Sequence, residues 1–337
     1  MWDNTWKKLL KTILNEGHEV KRKDSKRNIR ELIGHSFYIE NPLERLLCDE
    51  VRGLNIFQCV GQFLWITQGN FNLEAIKYYQ PLSEKFSSDG VKMIGSYGPR
   101  LFGIQHLGQM DHLINVLAKD PSKRRAVASI YLPQFDQHGL SGEEVPCTLN
   151  LQYLIRDNNV QSVTYMRSQD VFKVMPYDIF LFTMLQEYVM NQLKPEYSDF
   201  SLGRYNHFSG SFHIYESDIP QIEKVIGNSS SCGDKMPEMP SRDVKIRLRN
   251  LNKFESTLRT MTSAKIEFGV DVNYSSMLDM LEKLQKDEYW KQMGLILIAY
   301  SAIKTKNNKI LEQTYNSLCS TYQHFIDVYQ EKTKITT

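Results

Sequence analysis

The chain has 337 residues, of which 41% are hydrophobic, 11% aromatic and 24% charged. This composition excludes a disordered or fibrous chain and allows one large globular domain with an appendage, or two ordinary domains. Lysine and arginine number 41 against 39 acidic residues, and a net charge of +2 argues against electrostatic capture of nucleic acid. No apolar run approaches the roughly 20 residues that cross a bilayer, and residues 1–19 lack a secretory core, so we expect a cytoplasmic protein with no membrane contact.

The first half of the chain predicts helices, a basic loop and one strand. Residues 1–26 place apolar side chains at helical spacing, and the charge-rich run 21–30 that follows predicts an exposed loop. Residues 57–68 are densely apolar and stop at Gly69, which indicates a buried helix. Residues 111–119 predict a helix and residues 126–132 a buried strand, with Arg124 and Arg125 between them.

The second half begins with a predicted hairpin. Residues 149–155 and 160–166 alternate between apolar and polar, and turn-forming residues separate them at 157–159. Residues 178–193 predict a helix, and residues 208–215 a strand. A stretch rich in Gly, Ser and Pro at 227–241 indicates a linker, and residues 277–329 predict long amphipathic helices. The predicted units are therefore an N-terminal helix and loop (1–26), an α/β body (27–227), and a linker with a helical extension (228–337).

Cys147 is the candidate nucleophile among five cysteines. The five form no CxxC pair, which predicts neither a disulfide framework nor a zinc site, and we expect no metal. Cys147 follows a proline at the start of a predicted strand, within sequence reach of arginines that favour a thiolate. A cysteine is more often a small buried hydrophobic residue, so the residues alone allow either a catalytic or a structural role for Cys147.

Three polar pairs are candidates for binding a nucleotide. Arg124-Arg125 and Arg167-Ser168 are suited to phosphate, although each pair alone is more often a solvated surface feature. His213 and Tyr215 share one face of a predicted strand and are suited to a sugar hydroxyl, although such pairs are commonly satisfied within a sheet.

The order of several motifs is more specific than any one of them. The chain carries VPCTLNLQY at 145–153, MRSQD at 166–170, MPYDI at 175–179 and FHIY at 212–215. Together with GSYG at 95–98 and residues 120–125, this order resembles the thymidylate synthase superfamily over about residues 27–218. The resemblance implies an α/β (α+β) fold with a mixed sheet covered by helices, to which the C-terminal helices add an extension.

The resemblance also implies a role for each motif residue. Cys147 is expected to add to C6 of a pyrimidine nucleotide, with Tyr97 assisting proton removal at C5. Phosphate ligands are expected from Arg167 and Ser168 of one subunit and from Arg124 and Arg125 across the interface of a homodimer. His213 and Tyr215 are expected to bind the sugar hydroxyl, and Arg27 is expected to close over the phosphate. Asp170 is expected beside the base and the folate, and Trp65 beside the folate.

Five departures from the family pattern modify the expected reaction. Asp178 stands where thymidylate synthases have an asparagine that pairs with uracil, and a carboxyl there matches cytosine, unless Asp178 merely caps the following helix. Gln62 replaces a glutamate that handles protons, and Thr148 replaces a histidine. Residues 78–89 and the chain end lack the side chains that close the folate cleft, which favours access of water.

These features predict a C5 hydroxymethyltransferase that acts on dCMP or CMP with 5,10-methylenetetrahydrofolate. Two alternatives remain open: methylation of dUMP as in thymidylate synthases, and a nucleotide-binding protein with altered catalysis on the same scaffold. Positive charge gathered in a few predicted phosphate ligands suits a mononucleotide, so direct nucleic-acid binding is not expected.

Overall fold

The structure is a computed structural model that describes residues 2–21, 23, 27–103, 108–137, 144–228, 235–284 and 286–336. The strands are β1 His18–Val20, β2 Ile29–Ile39, β3 Val127–Ser129, β4 Thr148–Arg156, β5 Asn159–Asp170 and β6 Ser201–Tyr215. The helices are α1 Trp2–Glu16, α2 Ile56–Thr67, α3 Leu73–Lys77, α4 Tyr97–Phe102, α5 Gln109–Lys119, α6 Pro133–Asp136, α7 Met175–Leu193, α8 Ile219–Gly227, α9 Val244–Phe268, α10 Tyr274–Leu284, α11 Glu288–Lys304, α12 Asn308–Asn316 and α13 Ser320–Thr336. Short 3₁₀ turns span Pro42–Glu44, Pro81–Phe86 and Glu216–Asp218.

The described strands form one mixed sheet of six strands in the order β1-β2-β6-β5-β4-β3. Only β5 and β6 pair in parallel, because α7 connects them as a crossover. The predicted hairpin of β4 and β5 is confirmed, and its two turn residues Asp157 and Asn158 both have positive φ, as a tight hairpin turn requires. The mixed sheet with its helices confirms the predicted fold class.

Two predictions about the N-terminal part and the long strands need correction. The predicted basic loop at 21–30 ends earlier, because Ile29 and Arg30 already belong to β2 and pair with Tyr215 and Ile214 of β6. The strand predicted at 208–215 begins at Ser201. Both extensions are stabilised by pairing between strands that are distant in sequence, which local patterns do not show.

One hydrophobic core connects the sheet with the helices on both sides of residue 227. It includes Trp6 of α1, Phe182 of α7, and Trp290 and Tyr300 of α11. Polar contacts join the same regions: the hydroxyl of Tyr300 donates to the carbonyl of Tyr78 at 3.0 Å. The C-terminal helices thus pack directly on the body, and the predicted division into units stays a prediction.

Two buried glutamates within this core are paired with arginines. Arg45 and Glu187 form an ion pair at 2.7 Å, and both side chains are sealed from solvent. Glu255 of α9 accepts hydrogen bonds from Tyr79 at 3.0 Å and from Arg259 at 2.7 Å, which fixes α9 against the body. Such pairs are costly to break singly, because the remaining charge is left buried without a partner.

The sheet face opposite α1 and α7 is open. The register places Tyr38, Phe208, Tyr165 and Val127 on this face, and Tyr165 stacks on Phe208 with ring centroids 5.4 Å apart. Tyr38, Phe208 and Val127 are exposed large hydrophobic residues. Exposed large apolar side chains on one face of a sheet are typical of an interface. Within the described part of the chain, no helix has the length and apolar character needed to cross a membrane.

Candidate active site

Arg167 holds the loop that presents Cys147. Its guanidinium donates to the carbonyl of Pro146 at 2.9 Å and to that of Val145 at 2.8 Å, while its backbone N–H donates to the carbonyl of Cys147 at 2.8 Å. Cys147 is half-buried directly before β4. The predicted motifs around residues 147 and 167 therefore meet at the ends of two paired strands.

The pKa of Cys147 is raised, whereas the sequence predicts a thiolate. Burial raises the pKa of its thiol, Arg167 lowers it, and the carboxyls of Asp178 and Asp170 raise it again. The outcome is a pKa above the ordinary value, so the sulfur is a thiol in this state. Among the described cysteines, Cys59, Cys147 and Cys319 are free, whereas Cys48 is disulfide-bonded, which corrects the expectation of no disulfide.

Asp178 projects into the same site from the first turn of α7, where only 5% of its surface is exposed. Its Oδ2 accepts a hydrogen bond of 2.9 Å from the side-chain amide of Gln169. Burial raises its pKa to about 7, against the lowering effect of this bond, and Asp170 adds to the rise. The carboxyl is therefore substantially neutral near neutral pH.

The capping alternative for Asp178 is wrong. The N-cap residue of α7 is Val174, which contributes no side-chain capping bond, and Pro176 in the first turn favours the helix start. Asp178 lies four residues beyond the cap, where its carboxyl is bonded to Gln169 of β5 instead of to the helix N-terminus.

Tyr97 stands beside both reactive groups. It opens α4, whose start is capped by the side chain of Ser96. Burial raises its pKa, with Asp178 and Cys147 contributing in that order, so its hydroxyl is neutral. Thr148 donates a hydrogen bond of 3.1 Å to the Tyr97 oxygen, which leaves the tyrosine proton available to another acceptor. Thr148 thus takes part in the site through Tyr97.

Asp170, His213 and Tyr215 lie together at the far ends of β5 and β6. Asp170 pairs in register with His213, and its Oδ1 accepts backbone hydrogen bonds from Phe172 at 3.0 Å and Lys173 at 2.9 Å. Burial raises the pKa of Asp170 despite these bonds and the nearby His213. The rings of His213 and Tyr215 are 5.5 Å apart.

Arg27 lies at the same end of the site. Its guanidinium carbon is 5.2 Å from the centre of the Tyr215 ring, a cation–π contact. Ser168 pairs with Ser211 in the sheet, and its half-buried hydroxyl makes no hydrogen bond within the described residues. The predicted sugar and phosphate ligands of one chain are thus brought near one another.

Arg124 and Arg125 are not brought to this cluster. They are exposed and precede β3, whose Val127 pairs with Gln152, five residues along β4 from Cys147. At about 3.3 Å per residue, this offset is about 17 Å. The two arginines instead border the open apolar face of the sheet.

Gln62 and Trp65 lie on α2. Gln62 is half-buried and makes no hydrogen bond to any residue that the structure describes, so its catalytic role stays a prediction. Trp65 is largely buried, and its indole N–H donates to the carbonyl of Asn72 at 3.1 Å. Within the described residues, no cluster of three or more potential His, Cys, Asp or Glu ligands is placed to hold a metal ion.

Comparison with known proteins agrees with this geometry. A family model described as thymidylate synthase matches residues 4–262. The chain belongs to the thymidylate synthase family. A deoxyuridylate hydroxymethyltransferase of Delftia phage PhiW-14 is 28% identical over 242 residues, which cover 64% of this chain and 66% of that protein.

Two further relatives extend the comparison. A deoxyuridylate hydroxymethyltransferase of Bacillus phage SP01 is 26% identical over 323 residues, 88% of this chain and 82% of the relative. A putative thymidylate synthase of Methanosarcina barkeri is 31% identical over 134 residues, 39% of this chain and 57% of the relative. The similarity to the SP01 protein extends into the C-terminal helices, beyond the family model.

A loop with exposed apolar side chains lies close in sequence to Tyr97. Residues 82–94 lack the expected tryptophans but expose four large side chains, those of Leu82, Phe86, Val91 and Ile94. Glu144, three residues before Cys147, joins this loop to the segment that precedes Cys147, because its carboxylate accepts from the N–H groups of Ser88 at 2.6 Å and Gly95 at 3.2 Å.

The sequence pattern predicts no role for Gln169. The residue lies within the MRSQD motif but between Ser168 and Asp170, which drew the functional assignments. Its contact with Asp178 depends on how the chain returns from β5 into α7, so spacing alone did not reveal it. The sequence alone carries no signal for this contact, because a polar residue in a strand must be known to be buried before a hydrogen bond can be expected of it.

Proposed function

We propose that this protein is a pyrimidine nucleotide C5 hydroxymethyltransferase that acts on a cytidine monophosphate, with 5,10-methylenetetrahydrofolate as the carbon donor. The observation that carries the choice of base is the buried carboxyl of Asp178 at the family's amide position. Cytosine presents an amino donor and the basic N3 as acceptor. N3 of cytosine takes a proton far more readily than O4 of uracil, so a carboxyl that shares one proton with the base favours cytosine.

The chain's own residues support a covalent route. The sulfur of Cys147 forms a bond to C6, and the electron pair of the C5–C6 double bond moves to C5, which then attacks the donated carbon. A proton held between Asp178 and N3 offsets the negative charge that develops on the ring. Arg167 is the cation beside the sulfur, and it favours the thiolate that attacks.

The later steps need proton removal and water. We assign loss of the C5 proton to the neighbourhood of Tyr97 and Thr148, whose hydroxyls are hydrogen-bonded at 3.1 Å. With loss of the C5 proton, the bond between the donated carbon and the folate nitrogen would break, which releases tetrahydrofolate and leaves an exocyclic methylene on C5. Water would add to that carbon, after which the bond between Cys147 and C6 breaks and the C5–C6 double bond returns. The exposed loop 82–94 supports access of water, since it lacks the family's bulky tryptophans.

Folate supplies one carbon at the oxidation level of formaldehyde. Asp170, Trp65 and the exposed apolar side chains of residues 82–94 would hold it next to Cys147. Nucleotide binding is assigned to Arg167 and Ser168 for the phosphate, with Arg27 closing, and to His213 and Tyr215 for the sugar.

A homodimer would complete the phosphate site. Arg124 and Arg125 are exposed and too far from Arg167 in one chain to share a phosphate with it. They border the open apolar face that contains Tyr38 and Phe208. Two copies that join these faces would bury the apolar residues and carry the arginine pair of each chain toward the site of the other.

Uridylate is the second candidate substrate. Both phage relatives carry the name deoxyuridylate hydroxymethyltransferase. A neutral Asp178 can also donate to O4 of uracil and accept from its N3–H, and the pKa of about 7 allows that neutral form. The two candidates therefore differ in the base and share the remaining chemistry.

The test is incubation of the purified protein with dCMP, CMP or dUMP and methylenetetrahydrofolate, with products identified by mass spectrometry. A hydroxymethylated cytidylate supports the proposal, a hydroxymethylated uridylate supports the second candidate, and a methylated uridylate contradicts both. Asp178→Asn should move the preference toward uridylate by about 10- to 100-fold, the worth of one buried hydrogen-bond mismatch. Cys147→Ser is the inactive control.

A further inference from the structure

Gln169 is the one side chain whose hydrogen bond to Asp178 the structure describes. Gln169 is 1% exposed, and its amide nitrogen donates to Asp178 Oδ2 at 2.9 Å. Its Oε1 is buried and has no hydrogen-bond partner in the described part of the chain. A buried amide that leaves its own oxygen unsatisfied to make this bond indicates that the bond has a purpose beyond packing.

The direction of the bond determines where a proton can sit on Asp178. A neutral carboxyl has one oxygen that carries the proton and one that accepts. Because the amide N–H of Gln169 points at Oδ2, Oδ2 is held as an acceptor and the proton is placed on Oδ1. No hydrogen bond to Oδ1 is present among the described residues, so this oxygen is the one left to meet a ligand.

We propose that Gln169 is a specificity-determining positioning residue, which selects between cytosine and uracil by fixing the proton of Asp178 on one oxygen. The proposal rests on the proposed function in one respect, that Asp178 meets the N3 and C4 edge of the base. Cytosine and uracil present reversed donor and acceptor patterns on that edge. A carboxyl with a mobile proton can match either pattern, whereas one with a fixed proton matches only one of them.

The test measures nucleotide preference in the full chain by calorimetry, without folate. Dissociation constants for dCMP and dUMP are compared in the wild type and in Gln169→Met, which keeps the volume of the side chain but cannot donate. We expect the ratio of the two constants to move toward one by about tenfold or more, with the disfavoured base gaining affinity. Gln169→Leu provides a second variant should the first fold poorly.

Gln186→Met is the matched control. Gln186 is equally buried in the same body and donates to the carbonyls of Val160 at 2.8 Å and Gly203 at 3.0 Å, far along the strands from Asp178. Its replacement should lower stability and leave the ratio unchanged. A folded Gln169 variant with an unchanged ratio overturns the proposal.

A pH series gives an independent readout. The bond from Gln169 favours the ionised form of Asp178, so its loss should raise the pH at which binding of the preferred nucleotide weakens. The other titratable groups that interact with Asp178 are Asp170, Tyr97, Cys147 and Tyr205, and all are unchanged in the variant. An unshifted pH dependence contradicts the proposal.

The outcomes separate this inference from the proposed function. A wild type that prefers dUMP refutes the cytidylate assignment, yet a ratio that moves toward one in Gln169→Met still supports the role of Gln169. A wild type that binds neither nucleotide, or both equally, overturns the inference.

Discussion

Asp178 should make the protein less stable as the pH rises. Burial raises its pKa from 3.8 to about 7, so the folded protein holds this proton more tightly than the unfolded chain. The stabilising effect is complete below the unfolded pKa and is lost as the pH rises through the folded pKa. A shift of about 3 units at 1.36 kcal/mol per unit corresponds to about 4 kcal/mol lost by the time both states are ionised.

Asp178→Asn isolates this effect. The asparagine does not titrate, and its oxygen can still accept the N–H of Gln169. The free energy of unfolding of the variant minus that of the wild type should therefore rise by about 1.4 kcal/mol per pH unit between about pH 4 and 7, and level off above. Urea denaturation at about pH 5 and about pH 8 should differ by about 3 kcal/mol in this quantity.

The exposed Asp279→Asn is the control for the loss of one surface charge. Subtracting the wild type cancels the titration of groups remote from Asp178, and the groups that Asp178 acts on, among them Cys147 and Tyr97, have raised pKa values and stay protonated over this pH range. A difference that stays flat within about 0.5 kcal/mol over this range would refute the reasoning, because it would mean that the carboxyl is solvated in the folded protein.

Three further predictions follow from the site and the core. Cys147→Ser should reduce release of tritium from C5 of the nucleotide by at least about 10³-fold while calorimetry still detects nucleotide binding, since only the nucleophile is lost. Gln62→Glu should raise the turnover number by about 10²-fold or more if a missing proton carrier limits the rate. An unchanged rate would show that the reaction does not depend on a proton carrier at this position. Arg45→Leu should cost about 3–5 kcal/mol of unfolding free energy by stranding Glu187, whereas Arg204→Ala at an exposed ion pair should cost below about 1 kcal/mol.

The elements that the sequence predicts well are those with local causes. The hairpin of β4 and β5 is encoded by alternation and by turn residues at 157 and 158 that tolerate positive φ. The start of β2 cannot be predicted from the local sequence, because Ile29 and Arg30 lie in a charged run and form a strand only through pairing with β6. Helix α9 at 244–268 was not predicted, although its buried residues Leu248, Leu251 and Phe254 follow helical spacing among many charges.

The same distinction applies to the candidate site: motif order predicts which residues belong to it, whereas their protonation states depend on the fold. Motif order located Cys147 and Asp178, and the geometry brings both within electrostatic reach of Tyr97. The proton state was not predictable, because it depends on burial: Arg167 was expected to make Cys147 a thiolate, and desolvation outweighs it. Gln169 was missed for a related reason, since its contact forms only where β5 and α7 meet.

The raised pKa values at Cys147, Asp178 and Asp170 have a common origin. Desolvation is the largest cause for all three groups, both carboxyls raise the pKa of the thiol, and Asp170 also raises the pKa of Asp178, while Arg167 is the cation that acts on the sulfur. The resting site therefore favours protonated, neutral forms. A pyrimidine that accepts a proton from Asp178 becomes positively charged on its ring. This charge attracts the negative sulfur that must approach C6. Cytosine can accept that proton at N3, whereas N3 of uracil already carries one. Under the proposed cytidylate assignment, the same electrostatics that suppress the thiolate at rest would favour its attack on the substrate.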